Sequence, residues 1–274
     1  MLQNLQNIII EAAEAELLPR FRQIERFHKA DGSVVTEADY AIQHRITAEL
    51  QNQWPDIPLL GEEMDEADQN RLMQNSDAKL WVLDPLDGTS NFAAGIPCFA
   101  VSIALIANQK VELAVIYDPL RKECFSAVAG EGAMLNGEQL LASENTLPLS
   151  QCIAQIDFKR LPSTLAASIA SKPPFSSQRN FGSGVLDWCW LAAGRSQLYL
   201  HGKQKLWDYC AGQLILQEAG GRCCTLDGDE VFRGKLESRS VVAAANAELF
   251  NAWREVILTQ VSEFNVMKEA IVTG

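Results

Sequence analysis

Asp84 and Asp87 stand three residues apart in "WVLDPLDGTSNF", directly after an apolar run and directly before Gly88-Thr89-Ser90. Two carboxylates this close repel each other, and both stay ionised only beside compensating positive charge. Divalent cations that prefer oxygen, Mg²⁺ above all, are the economical source of that charge, one Asp bridging two ions and the other completing the second. Pro85 restricts Asp84 to extended backbone, so the chain is expected to leave the strand there and turn at once. Gly-Thr-Ser can then offer N–H groups and hydroxyls to a phosphate, as a helix start does. The plainer reading is an Asp-Pro turn with a capping Asp.

Two further carboxylate positions favour chemistry. "LLGEE" sets Glu62 and Glu63 after an apolar run and a glycine, where a strand edge can aim a side chain into a cleft. "LWDYCAG" sets Asp208 at the entry of a helix, where an ordinary N-cap is the plainer alternative. Asp65, Glu66 and Asp68 read as solvated surface charge.

The elements that must hold these residues are legible as periodicities. Leu2, Leu5, Ile8, Ile9, Ala12 and Ala13 recur at helical spacing, which predicts a first helix of about five turns. "HKADGSVV" reads as a turn or hairpin, after which Thr36 can cap a helix carrying Ala38, Ile42, Ile46 and Leu50 on one face. Strands are expected over 58–61, 80–83 and both sides of Asn108-Gln109, with Asn136-Gly137 as a further tight turn. From about Leu147 strands and helices alternate through to a closing helix. We therefore divide the chain into an N-terminal α+β half, 1–146, and a C-terminal α/β half, 147–274, built as layered sheets and helices.

Bulk properties exclude several classes. A net charge of −12 over 274 residues argues against general binding to nucleic acid or anionic membrane, because both need clustered Lys and Arg. An acidic pocket can still take a phosphate once cations reverse the local sign. Seven cysteines without a C-x-x-C pair, mostly inside apolar runs, predict reduced thiols rather than disulfides or zinc. Cys223 and Cys224 are adjacent in an apolar strand, so one should point inward and one outward. No leader pattern or membrane span stands out, and a cytoplasmic location is expected.

"LLGEE", "WVLDPLDGTSNF" and "LWDYCAGQLILQEAGG", in this order and at these separations, resemble the signature segments of the inositol monophosphatase family of Mg²⁺-dependent, lithium-sensitive phosphatases. "KADGSVVTEADYAIQ", with Lys29, Thr36 and Asp39, resembles that family's metal loop and the segment after it. The similarity runs over nearly the whole chain. It implies an α-β-α-β-α sandwich, usually dimeric, acting on a small phosphorylated metabolite. By the same resemblance Glu62, Asp84 and the carbonyl of Leu86 hold one Mg²⁺, and Asp84, Asp87 and Asp208 a second. A weaker third ion sits by Glu62. Gly88, Thr89 and Ser90 hold the phosphate, while Thr89, paired with Asp39, and Glu62 orient and deprotonate the attacking water. Asp39 has a structural double, since Thr36-Glu-Ala-Asp is also a capping box.

Substrate choice is expected in the second half. "RNFGSGVLDWCW" resembles the segment that touches the substrate, which nominates Gly182, Ser183 and Gly184. In "QLYLHGKQKLWD" His201 stands, without a gap, where inositol-selective members carry a glutamate, and Leu200 does with a one-residue gap. Lys203 and Lys205 beside it would suit a second phosphate, or form a plain solvated loop. Inositol phosphate, adenosine 3',5'-bisphosphate, fructose 1,6-bisphosphate and histidinol phosphate all stay open. Trp188, Trp190 and Trp207 read as core beside the cleft.

Rivals fare worse. "LDGT" after a strand also resembles the haloacid dehalogenase phosphatases, but those place one residue between their aspartates and this chain places two. No phosphate-cradling G-x-x-x-x-G-K-[ST] is present. A non-enzymatic regulator that keeps the fold is the remaining alternative, though every matched carboxylate is retained.

Overall fold

Side chains alternate cleanly along the strand that carries Asp84. Trp81 and Leu83 enter one apolar core, while Leu80 and Val82 enter another on the opposite face. A strand buried on both faces needs helices on both sides, and that requirement organises the molecule.

The computed structural model describes residues 1–22, 27–28, 34–74, 79–141 and 147–272. Its helices are α1 (Leu2–Glu16), α2 (Glu37–Gln53), α3 (Glu66–Gln74), α4 (Thr89–Ala94), α5 (Ser163–Ser171), α6 (Gly184–Ala192), α7 (Leu206–Glu218) and α8 (Ala247–Val272). Strands β1 (Phe27–His28) and β2 (Val34–Val35) form a small antiparallel pair. A seven-stranded sheet follows chain order: β3 (Leu59–Gly61), β4 (Leu80–Asp87), β5 (Ala100–Ala107), β6 (Lys110–Asp118), β7 (Glu123–Val128), β8 (Gly132–Leu135) and β9 (Glu138–Leu140). The remaining strands are β10 (Ile153–Asp157), β11 (Ser177–Arg179), β12 (Leu198–Gln204), β13 (Arg222–Cys224) and β14 (Arg239–Ala244). They make a five-stranded sheet in the order β11-β10-β12-β14-β13.

Three cores separate five layers. Leu5, Ile9, Ile42 and Ile46 of α1 and α2 pack on Trp81, Val101 and Val115 of the large sheet. Its other face carries small residues, Ala100, Ala104 and Ala114, against which Trp188 of α6 and Leu214 of α7 fit. Tyr199, Val241 and Ala243 of the second sheet close the same middle core from the far side. Leu165 and Ile169 of α5 and Trp253 of α8 cover the outer face of that sheet. The resulting α-β-α-β-α sandwich is the expected fold.

Local chemistry sets the turns. Asn108 and Gln109 both adopt positive φ, 51° and 58°, as a two-residue hairpin between right-twisted strands demands, and Asn136-Gly137 does the same at 52° and 85°.

Several expectations need correcting. The chain does not leave the sheet at Asp84. β4 runs on to Asp87, and Asp84 pairs with Ser102 while Asp87 pairs with Ala100, so Pro85 and Leu86 bulge opposite Val101. Proline lacks the ladder N–H, and a bulge is the strand's way of absorbing it. The first helix has 15 residues, about four turns. Glu66 and Asp68, read as solvated surface charge, do reach solvent, and they lie in the first turn of α3, where acidic residues suit the helix dipole, with Asp65 Oδ1 accepting the Asp68 N–H just ahead of it. All seven cysteines are free, but Cys223 packs into the middle core and Cys224 into the outer one, because helices cover both faces of β13. Among the described residues no helix is long and apolar enough to cross a membrane.

Candidate active site

The bulge in β4 opens into a cavity of about 900 Å³ whose walls include Glu62, Asp84, Asp87, Gly88, Thr89 and Asp208. Each carboxylate arrives on a different support. Glu62 follows β3, with its N–H donating to Leu83 O at 3.1 Å, and Gln69 of α3 braces the carbonyls of Gly61 and Glu62 at 2.9 and 3.2 Å. Asp84 and Asp87 flank the bulge. Asp208 sits in the first turn of α7 and accepts the Lys205 N–H at 2.7 Å.

One oxygen from each of Asp84, Asp87 and Asp208 can lie within 4.8 Å of the others. Burial first, then the charges of Glu62, Asp87 and Asp208, push the Asp84 carboxyl well above the usual carboxylate range. Burial and the neighbouring carboxylates Asp87 and Glu62 do the same to Asp208. Asp87 is raised by burial too, against the pull of hydrogen bonds from Ser183, Val185, Gly184 and Gly88. Such a cluster is costly without positive charge, and an all-oxygen donor set fits Mg²⁺.

Beside the cluster the backbone turns sharply into α4. Gly88 has φ of 84°, and a Cβ there would fall 2.8 Å from Cys98 O, so glycine is required on both counts. Thr89 Oγ1 lies within bonding distance of Leu86 O (2.9 Å) and of Asp39 Oδ1 (3.2 Å). Asp39 is also the capping-box residue of α2, with Thr36 N–H and Oγ1 donating to its Oδ2 at 2.8 and 2.6 Å. The two readings of Asp39 therefore coexist, one oxygen for the cap and one for Thr89. Burial pushes its carboxyl up to about 6 against the pull of the Thr36 bonds.

The matching family model covers residues 1–262 and is described as the inositol monophosphatase family. The chain belongs to the inositol monophosphatase family. Among its relatives is the Nus factor SuhB of Pasteurella multocida, 35% identical over 251 residues, covering 87% of this chain and 90% of that protein. Inositol monophosphatase 1 of Solanum lycopersicum is 34% identical over 243 residues, covering 86% of both. A solved Thermotoga maritima IMPase superposes with a TM-score of 0.79 at 27% identity, covering 94% of this chain and 97% of that one.

The nominated substrate residues of this inositol monophosphatase family member fall into different places. Ser90 and Gly182 line the cavity. Ser183 is 1% exposed, and its Oγ donates to Asp87 Oδ2 at 2.5 Å instead of facing the cavity. Gly184 likewise bonds Asp87 through its backbone. His201 is not among the cavity's lining residues. Its Nε2 lies 3.5 Å from Asp157 Oδ2, and its Nδ1 accepts the Lys203 N–H at 3.2 Å. Burial would raise the Asp157 carboxyl, yet the His201 hydrogen bond and charge hold it below its usual value. Lys29 lies outside the described residues.

Two of the basic lining residues were not foreseen. Lys159 and Arg160, from a single 3-10 turn after β10, join Lys203 and Lys205 along the wall built by the second sheet. "DFKRLP" carries no motif. Only the pairing of β10 with β12, which sets Asp157 opposite His201, brings its basic residues to the cavity.

Proposed function

We propose that the chain is a Mg²⁺-dependent phosphomonoesterase acting on a small phosphorylated metabolite. The observation that carries this reading is the convergence of Asp84, Asp87 and Asp208 on one point, in a cavity that also holds Glu62 and the Gly88-Thr89 turn. Glu62, Asp84 and Leu86 O would hold one cation, and Asp84, Asp87 and Asp208 a second, with a weaker third beside Glu62 by the family resemblance. When bound, such cations stabilise charge on phosphoryl oxygens and make water a stronger nucleophile near neutral pH.

The chain's own residues do the rest. The Thr89 N–H and Ser90 would meet the phosphate at the start of α4, beside the Gly88 N–H, which also bonds the Asp87 carboxylate. Thr89 Oγ1 passes its proton toward Asp39 Oδ1, which leaves the threonine oxygen able to accept a proton from water. Glu62 shares in orienting that water. Residues 1–146 supply these groups, and 147–274 supply Asp208 and the basic wall.

A second observation narrows the substrate. No carboxylate stands where inositol-selective members have one, and His201 is engaged with Asp157. Four basic residues line the same cavity. A substrate with a second anionic group, such as adenosine 3',5'-bisphosphate, suits this wall better than inositol 1-phosphate. The net charge of −12 supports a small-molecule partner over nucleic acid. A cytoplasmic homodimer belongs to the same reading, the dimer to be checked by analytical ultracentrifugation.

A relative called a Nus factor keeps a non-enzymatic role in play. Retention of all the matched carboxylates favours the enzyme. The deciding experiment is phosphate release from inositol 1-phosphate, adenosine 3',5'-bisphosphate, fructose 1,6-bisphosphate and histidinol phosphate with and without Mg²⁺, compared by kcat/KM. No release from any of them would overturn the enzyme reading in favour of the regulator.

A further inference from the structure

Ser183 holds the N-cap position of α6, yet makes no cap. A serine there ordinarily accepts an N–H from the first turn of its own helix. Here the Ser183 side chain accepts no such bond. Its hydroxyl is turned outward as a donor to Asp87 Oδ2, and the Val185 N–H donates to that same oxygen at 3.1 Å. Asp87, at the end of β4, therefore caps a helix of the middle layer whose bonded amide lies 98 residues further along the chain.

The junction has a second tie. Asn91 of α4 donates Nδ2 to Phe181 O at 2.7 Å and to Cys98 O at 2.9 Å. Phe181–Val185 is thus stitched to the phosphate turn on one side and to Asp87 on the other, while Gly182 between them lines the cavity. The helix it opens is pinned in turn, Trp188 Nε1 donating to Gln204 Oε1 at 3.0 Å. Gln204 is 1% exposed and stands between the cavity-lining Lys203 and Lys205.

We propose that Ser183 is a positioning residue for cation binding: it fixes the rotation of the Asp87 carboxylate, so that the cation site forms fully only when the start of α6 is docked on β4. The proposal rests on the reading of Asp87 as a cation ligand. The Ser183 hydroxyl joins the backbone N–H groups of Val185, Gly184 and Gly88 in holding this carboxylate toward Asp84 and Asp208, and groups that orient a ligand in this way ordinarily matter to affinity almost as much as the ligand. The same junction links the cavity wall at Gly182 to the cation site, so the two respond together to any loosening of α6.

Direct Mn²⁺ binding to the substrate-free protein, by electron paramagnetic resonance or calorimetry, tests this without turnover. Ser183→Ala is expected to weaken Mn²⁺ binding by about tenfold or more. In turnover it should raise the half-saturating Mg²⁺ by a similar factor, while KM for substrate at saturating Mg²⁺ stays within about twofold of wild type, since the hydroxyl does not face the cavity. Wild-type Mn²⁺ affinity combined with a raised substrate KM would overturn the proposal and make Ser183 a substrate contact. Should Ser183→Ala lose its folded circular dichroism, Ser183→Cys keeps a γ atom in place with a weaker donor; weakened Mn²⁺ binding supports the proposal and wild-type affinity overturns it. Failure of the wild-type protein itself to bind Mn²⁺ would remove the cation reading and this proposal with it.

Discussion

Asp39 and Thr89, fifty residues apart in the chain, meet with Thr89 Oγ1 3.2 Å from Asp39 Oδ1. The carboxylate must be ionised to take the threonine proton, and its pKa of about 6 sets when that holds. In low Mg²⁺, kcat/KM should climb with pH through about 6. Added Mg²⁺ should move this acid limb downward, because positive charge favours the carboxylate. Asp39→Asn and Thr89→Ala should each lower kcat by about 10²–10⁴-fold, the usual worth of a placed proton acceptor. A pH–rate profile settles it: an unchanged acid limb in Asp39→Asn would assign the limb elsewhere.

The acidic cluster makes stability depend on pH in a definite direction. Asp84, Asp87 and Asp208 all have pKa values raised in the folded state, so the fold binds more protons than the unfolded chain between the two sets of values. Stability is lost as pH rises through that window. Without divalent cations, Tm should therefore fall as pH rises above the ordinary carboxylate range, and saturating Mg²⁺ should flatten the fall. Thermal melts across pH with EDTA and with Mg²⁺ read this directly; a metal-free Tm that rose with pH would contradict it.

The same repulsion predicts that losing function gains stability. Asp84→Asn removes one charge from the cluster, at its buried member, while keeping the shape. In EDTA at pH 7.5 its Tm should exceed wild type by about 2–4 °C, the size expected for roughly 1 kcal/mol in a chain of this length. With Mg²⁺ the order should reverse and turnover should vanish. Asp208→Asn should behave alike, and full activity in either variant would remove that residue from the site.

How much of this could be read from the letters alone depends on how local each feature is. The Asp84–Asp87 pair, the capping box at Thr36 and the tight turns at Asn108 and Asn136 each lie within a few residues, and type and spacing sufficed. The bulge at Pro85 was missed because a proline that ends a strand and one that bulges it look identical until the partner strand is known. Ser183 is nominated for substrate by resemblance of its segment, and its bond to Asp87 was not legible because the two are distant in sequence and near only through packing of α6 on the large sheet. Lys159 and Arg160 were invisible for the same reason. His201 was nominated by alignment position, and its engagement by Asp157 follows from strand pairing that periodicity does not specify.

Gly202 controls where the basic wall stands. A Cβ at this position would fall 1.8 Å from Arg160 O, a backbone atom that cannot swing aside. Gly202→Ala should therefore lift the 158–160 turn off β12, at a cost of about 1–3 kcal/mol. Urea unfolding should show a lowered midpoint with an unchanged slope. With Lys159 and Arg160 displaced, KM for a doubly anionic substrate should rise more than KM for a singly phosphorylated one. Equal effects on both would mean that the turn serves stability alone.

Charge removal from the wall separates the two substrate readings most directly. Lys203→Ala leaves the carboxylate cluster and the Gly88 turn untouched, so hydrolysis of a singly phosphorylated polyol should stay within about threefold of wild type, the range of a lost exposed charge; Lys205→Ala keeps the N–H that Asp208 accepts but also takes a positive charge from beside it, so it should slow both substrates. For adenosine 3',5'-bisphosphate each change should reduce kcat/KM by about tenfold, through the lost charge-assisted contact with the second phosphate. Raising NaCl to about 0.5 M should shrink the wild-type preference, because these side chains are exposed and salt screens them. The three measurements stand or fall together. A preference for the bisphosphate that survives both substitutions and high salt would place recognition on neutral groups of the cavity, and the basic wall would then be ordinary solvated surface.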